Sequence, residues 1–272
     1  MYKVFISCRN RLAITIKCLM ALKKHSVLDH QIYVYDNLTS HRLDEHFMFW
    51  AEMFKSESIS QVTFTSKEST FNAFSKGTTS NLFGLQHEQD PKKRDFLFLV
   101  ILDNDMIVTP GWDEHVYNTM TDIGRLGLKN LKVMGQHHNG IQIGYKFPND
   151  LGGFPAYSGK FGGSGFWVVR SDFFDDVGYL KLPQLVGLNK KHDQFYWKRF
   201  EIASGGKDYM VGSDYKYVYH CGKIAGSICN ILTKHSFLSE EKKEELIKLN
   251  DKEKMIDAMS FDEFYDYIQK EL

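Results

Sequence analysis

The chain has 272 residues, 34 basic and 34 acidic, with 43% hydrophobic and 25% charged side chains, which fits one large domain or two small ones and excludes collagen-like, low-complexity and disordered chains. A formal net charge of zero argues against a general nucleic-acid coat, which needs a broad basic face. The sum hides an asymmetry: residues 239–272 hold 11 acids and 6 bases, leaving an excess of +5 on residues 1–238.

Tyr2–Cys8 is an apolar run that reads as a strand, not as a secretion signal. Leu12, Thr15, Ile16, Leu19 and Leu22 then recur at helical spacing. Gln31–Asp36 reads as the next strand, and Leu43, Phe47, Trp50 and Phe54 as one stripe of a second helix. Gln61–Thr65 alternates like a strand, and Phe71–Gln86 has a helical pattern. Asp95–Leu102 is continuously apolar after its first residue, as in a strand covered on both faces of a parallel sheet. Repeated β-α-β units of this length predict a doubly wound sheet with ligands at the carboxyl ends of its strands. After a helix from Trp112 to about Ile123 the rhythm changes to short strands and glycine-rich turns, with helix patterns near 171–178 and 190–203. The tail is helical and charged, and Ser260-Phe-Asp-Glu263 is a capping box ahead of an apolar face of Phe261, Phe264, Tyr265 and Ile268. A lid, a dimer contact or a solvated cap are open roles for this tail, and a solvated cap is the expectation.

The four cysteines, Cys8, Cys18, Cys221 and Cys229, lack C-x-x-C spacing, so buried thiols are expected rather than disulfides or a zinc site. With no long apolar stretch to span a membrane, a cytoplasmic location is expected.

The strongest local feature is Leu102-Asp103-Asn104-Asp105, two carboxylates two apart where an apolar strand ends. Buried there they need a partner, either a hard cation such as Mg²⁺ or Mn²⁺ or the backbone N–H groups of a turn. Asp36-Asn37 ends the second strand, where a carboxylate can bind a base or ribose or form an Asx-turn. Gly162, Gly163 and Gly165 allow close approach of a ligand or a simple bulge, and no Gly-Lys-Ser/Thr follows to make a P-loop. Asp193, near a helix start, reads as a cap or a general base, and His220 follows a strand over 215–219.

In their order along residues 2–222, these elements resemble the GT-A nucleotide-sugar glycosyltransferases, most closely the large inverting family 2. The resemblance rests on Phe5-Ile-Ser-Cys-Arg-Asn-Arg11, Tyr35-Asp-Asn-Leu-Thr-Ser40, the stretch from Asn72 to Asn81, and Leu102-Asp-Asn-Asp105. It continues through Gly162-Gly-Ser-Gly165 with Arg170 and Phe174, and His192-Asp-Gln-Phe-Tyr196. It implies an α/β fold of GT-A (Rossmann-like) type. The expected sheet is mixed and mainly parallel, flanked by helices, with a helical C-terminal appendage. The implied division is a glycosyltransferase domain over 1–238, with a nucleotide-binding half (1–105) and an acceptor half (106–238), followed by a charged extension (239–272).

The resemblance also implies roles. Ser7, Arg9, Asp36, Asp103 and Asn104 would bind the donor, Asp105 and His220 would hold Mn²⁺ or Mg²⁺, and Asp193 would be the catalytic base. Gly163, Ser164 and Trp197 would line the acceptor side. Aromatic residues there, including Tyr157, Phe161, Trp167 and Tyr196, could stack on a sugar or belong to the core, and for Trp167 the core is expected. The implied reaction is metal-dependent, inverting transfer from a nucleotide-sugar, a UDP-sugar first, to a hydroxyl on a glycan, small molecule, protein or modified nucleic acid. Two departures stand out: one acid, not two, precedes the catalytic helix, and the element after the second strand is Asp-Asn-Leu-Thr-Ser rather than the commoner Asp-x-Gly-Ser-Thr-Asp. Neither a Gln-x-x-Arg-Trp element nor membrane helices suggest a processive synthase. The rivals are a sugar-nucleotide nucleotidyltransferase, which normally carries a glycine-rich loop after the first strand, and a non-catalytic binding module on the same fold.

Overall fold

The computed structural model describes residues 1–8, 11–37, 48, 50–53, 59–65, 97–136, 143–160, 165–172, 201–202, 204–225 and 240–272. Strand β1 (Tyr2–Cys8) pairs in parallel with β2 (His30–Asn37) on one side and β4 (Phe98–Asp103) on the other, and β3 (Gln61–Thr65) extends the row beyond β2. Every residue of β4 is buried except Asp103, at its carboxyl end. That pattern follows from a strand covered on both faces, whose apolar residues have no solvent side.

Beyond β4 the sheet becomes mixed, as expected. The order among the described strands is β3-β2-β1-β4-β9-β6-β10-β8-β7, with β9 (Phe166–Arg170) antiparallel to both β4 and β6 (Val133–Gln136). Strand β10 (Met210–Ser213) is parallel to β6, and β8 (Ala156–Gly159) and β7 (Ile143–Lys146) complete the edge in antiparallel fashion. A doubly wound parallel arrangement therefore holds only for the first half; in the second half β7 and β8 are consecutive and pair across residues 147–155, whereas β9 and β10 lie beside strands distant in sequence. A separate ribbon of β5 (Met106–Val108) and β11 (Val218–His220) leaves the main sheet directly after the Asp103–Asp105 turn. His220 is the last residue of β11 rather than a residue beyond it.

Helix α1 (Leu12–His25) buries Ile14, Cys18, Leu19 and Leu22, and α2 (Trp112–Arg125) buries Trp112 and Val116. The two are tied through Asp113, which is fully buried. Its carboxylate accepts from the Tyr2 hydroxyl at 3.0 Å, the Val27 N–H at 3.0 Å and the Leu28 N–H at 2.8 Å. One side chain thus fixes the first strand, the turn after α1 and the start of α2. Trp167 is 3% exposed and belongs to the core, as expected. Cys8, Cys18 and Cys221 are free and buried, and Cys229 lies outside the described residues.

The helix stripe over 43–54 is seen only at residues 48 and 50–53, which are helical; the pattern over 71–86 lies outside the described residues, of that over 171–178 only residues 171–172 are described, as a turn, and of that over 190–203 only residues 201–202, as helix. The short helix α3 (Gly222–Ala225) follows β11, and α4 (Glu240–Ala258) and α5 (Phe261–Glu271) form the tail. The predicted capping box is present: Ser260 Oγ accepts from Glu263 N at 3.3 Å, and Ser260 N donates to Glu263 Oε2 at 2.8 Å. The tail is more than a solvated cap. Ile256, Phe264 and Ile268 are wholly buried in the same core as β1 and α1, and Tyr265 meets the His25 ring edge-on at 4.7 Å. Lys17 donates to the Met259 carbonyl, Lys24 pairs with Asp262, and Glu253 Oε2 accepts from the Ala13 N–H at 3.2 Å. No helix among the described residues is long and apolar enough to cross a membrane.

Asp113→Ala would strand several buried donors at ~1–3 kcal/mol each, so a loss of more than ~3 kcal/mol is expected in denaturant unfolding. Glu253→Ala removes the acceptor at the first turn of α1 and is expected to cost ~0.5–2 kcal/mol in the same measurement.

Candidate functional site

The carboxyl ends of β2, β1 and β4 lie in register: Asp36 stands opposite Cys8, and Ser7 opposite Asp103. Asp36 is fully buried, and its Oδ2 accepts from the Trp50 indole N–H. Asp103 closes β4, and its N–H donates to the Gly165 carbonyl at 2.9 Å. A Cβ at Gly165 would fall 1.8 Å from Met106 Cε and 3.5 Å from Asp103 Oδ2, so a larger residue there would have to move the Met106 side chain.

Two residues on, Asp105 is 6% exposed. The β5–β11 ribbon sets His220 opposite Met106, and Cys221 N donates to Asp105 O at 2.8 Å. These bonds bring His220 Nε2 to 3.6 Å from Asp105 Oδ2. A Cβ at Gly222 would lie 2.7 Å from His220 Nε2 and 3.1 Å from Asp105 Oδ2, which explains a glycine there. Arg11 reaches the same carboxylate from the other side, with Nη2 3.1 Å from Asp105 Oδ2 and 3.3 Å from Asn104 Oδ1. Asn104, 3% exposed, donates in turn to Thr15 Oγ1 at 2.8 Å.

Burial alone pushes the Asp105 carboxyl up, but the His220 bond and the Arg11 charge outweigh it and hold the pKa at about 2. Asp105 raises His220 above its ordinary value, against a smaller desolvation effect. Burial drives the Cys8, Cys18 and Cys221 thiols upward, which favours their protonated form.

Asp105 Oδ1 is buried and has no hydrogen-bond partner among the described residues. That oxygen and the nearby imidazole are donors suited to Mn²⁺ or Mg²⁺. Among the described residues no group of three or more His, Cys, Asp or Glu side chains could hold a cation by itself. The residues present fit a cation shared with a diphosphate.

Of the predicted site residues, Asp36, Asp103, Asn104, Asp105 and His220 meet along this edge, and Ser7 shares its register. Arg9, Gly163, Ser164, Asp193 and Trp197 lie outside the described residues. Gly165 stands where the sequence offered close approach or a bulge, whereas Arg11, Thr15 and Gly222 were given no role at the site from sequence. The available signal was Arg11 itself, an arginine where a helix start calls for Ser, Thr, Asp or Asn.

No family model and no curated protein sequence matches the chain. Solved structures do match. TarS 1-349 of S. aureus in complex with UDP gives a TM-score of 0.51 at 13% identity, over 91% of this chain and 70% of that one. The longer S. aureus TarS chain gives 0.50 at 12%, over 92% and 43%. GalNAc-T7 with UDP, GalNAc and Mn²⁺ gives 0.51 at 12%, over 80% and 44%. The chain thus spans less than half the length of the last two. The fold is of the GT-A type.

In metal-free protein the His220–Asp105 attraction is present below the ordinary histidine value of 6.5 and is lost as pH rises through the raised one. NMR titration should find His220 titrating above 6.5, and both Asp105→Asn and Gly222→Ala should bring it back down.

Proposed function

We propose that the chain moves a sugar from a nucleotide-sugar, a UDP-sugar first, to an acceptor hydroxyl with inversion at the anomeric carbon. The observation that carries this reading is the convergence of Asp103, Asp105, His220 and Arg11 at the carboxyl ends of β1 and β4. Ligands of open α/β sheets bind at that edge. The bound UDP of the TarS complex, and the UDP and Mn²⁺ of the GalNAc-T7 complex, support a UDP-sugar as the first donor to test.

In this reading Asp105 and His220 hold Mn²⁺ or Mg²⁺, which when bound neutralises charge on the leaving diphosphate. Ser7, Arg9 and Asp36 take the nucleoside, and Asp103 the ribose, with Asn104 keeping the turn between them in place. Asp193 accepts the proton of the acceptor hydroxyl as its oxygen attacks the anomeric carbon and the sugar–phosphate bond breaks. Gly163, Ser164 and Trp197 shape the acceptor side. Residues 1–105 together with His220 then serve the donor, the rest of 106–238 the acceptor, and 239–272 brace the first helix.

Asp193→Asn is expected to lower turnover by ~10²–10⁴-fold while leaving UDP binding intact. Asp105→Ala should abolish Mn²⁺-dependent UDP binding. Calorimetry with UDP and Mn²⁺, together with hydrolysis of UDP-, GDP- and dTDP-sugars, tests both. Pyrophosphate release from UTP and a sugar 1-phosphate would make the protein a nucleotidyltransferase instead. A melting temperature unmoved by any nucleoside diphosphate with Mn²⁺ would make it a binding module without this chemistry.

A further inference from the structure

We infer that Arg11 is a resident counter-cation of Asp105, displaced by a divalent cation and taken over by the donor's diphosphate. The inference rests on the reading of Asp105 as a cation ligand.

The backbone is the first argument. Arg11 has φ 59° and ψ 56°, the left-handed region, and is the one non-glycine residue there among the described residues. For an L-residue this conformation is unfavourable and persists only where its surroundings impose it. Arg11 is the N-cap of α1 yet makes no side-chain cap; Glu253, from the C-terminal helix α4, meets the Ala13 N–H instead. An outside acceptor at the helix start leaves position 11 without capping work. The strained backbone directs a 10%-exposed guanidinium onto Asp105 Oδ2, braced by Asn104 and Thr15.

The charge arrangement is the second. Asp105 Oδ2 faces Arg11 at 3.1 Å and His220 at 3.6 Å, while the buried Oδ1 has no described partner. A divalent cation on this carboxylate would sit within a few ångströms of a permanent positive charge in a poorly hydrated place, where repulsion is strong. The cation and Arg11 therefore oppose each other until negative charge arrives. A nucleoside diphosphate brings that charge, and a guanidinium fork suits phosphate oxygens. Cation and nucleotide then bind with positive coupling, and Arg11 is its source. By reciprocity each tightens the other to the same degree.

The test is Arg11→Met on the full chain, with Arg11→Gly as a second uncharged variant that accepts the left-handed backbone without strain. Mn²⁺ alone is followed by electron paramagnetic resonance, and UDP at saturating Mn²⁺ by calorimetry. Both variants should bind Mn²⁺ alone at least ~5-fold tighter and UDP at least ~5-fold weaker, a coupling change of an ordinary allosteric size. Arg11→Lys, which keeps the charge but loses the fork, should leave Mn²⁺ binding as in the wild type and weaken UDP. Mn²⁺ and UDP binding weakening together in the uncharged variants, or unchanged Mn²⁺ affinity, would overturn the inference. If the wild type binds no nucleoside diphosphate, the functional reading fails and the takeover with it, whereas tighter Mn²⁺ binding in the variants would still support displacement.

Discussion

A carboxylate removed from water must be met by charge or by donors, because the unpaired ion costs several kcal/mol. Asp105 imposes that constraint on the rest of the site. It follows a strand with no solvent-facing residue before Asp103, so the chain has to leave the main sheet while still under cover. The separate β5–β11 ribbon makes that exit and delivers His220 alongside. Gly222 clears the space for the imidazole, and Gly165 clears it beside Asp103. On the opposite side the first turn of α1 accepts an unfavourable backbone to bring Arg11 in. The ribbon, Gly222 and Arg11 all point at the one carboxylate of Asp105.

The parts of this arrangement legible in the sequence are those whose signal is local. An apolar run is a buried strand wherever it sits, so β1, β4 and Gln61–Thr65 could be read directly. The carboxylates after β4 stand out because charge ends an apolar run, and Ser260 with Glu263 is self-contained at three residues' spacing. His220 entered the site through resemblance, and the ribbon gives it a physical reason. Arg11 was not legible because its partner lies 94 residues away and its helix is capped from residue 253. Trp50 and the apolar face of the tail were legible as helix stripes, but not that the one holds Asp36 and the other packs in the core with β1 and α1. The resemblance makes Asn104 a donor ligand; its bonds with Thr15 and Arg11 come from a distant element and have no signal in the local sequence. Sequence spacing identifies a residue's neighbours on its own element; it does not show which distant element arrives to use its polar atoms.

The tie from Glu253 to Ala13 also bears on how the molecule assembles. A ribosome produces α1 long before it produces α4, so the first helix of the site emerges without the acceptor that finishes its first turn. Contacts between such distant parts of a chain form late, since a large loop must close before they repay its entropy. The nascent N-terminal portion therefore displays an incomplete helix end and an apolar flank, later covered by Ile256, Phe264 and Ile268, until the final turns are made. The Asp103–Asp105 edge is thus flanked by a helix whose first turn is completed from the last segment to be made.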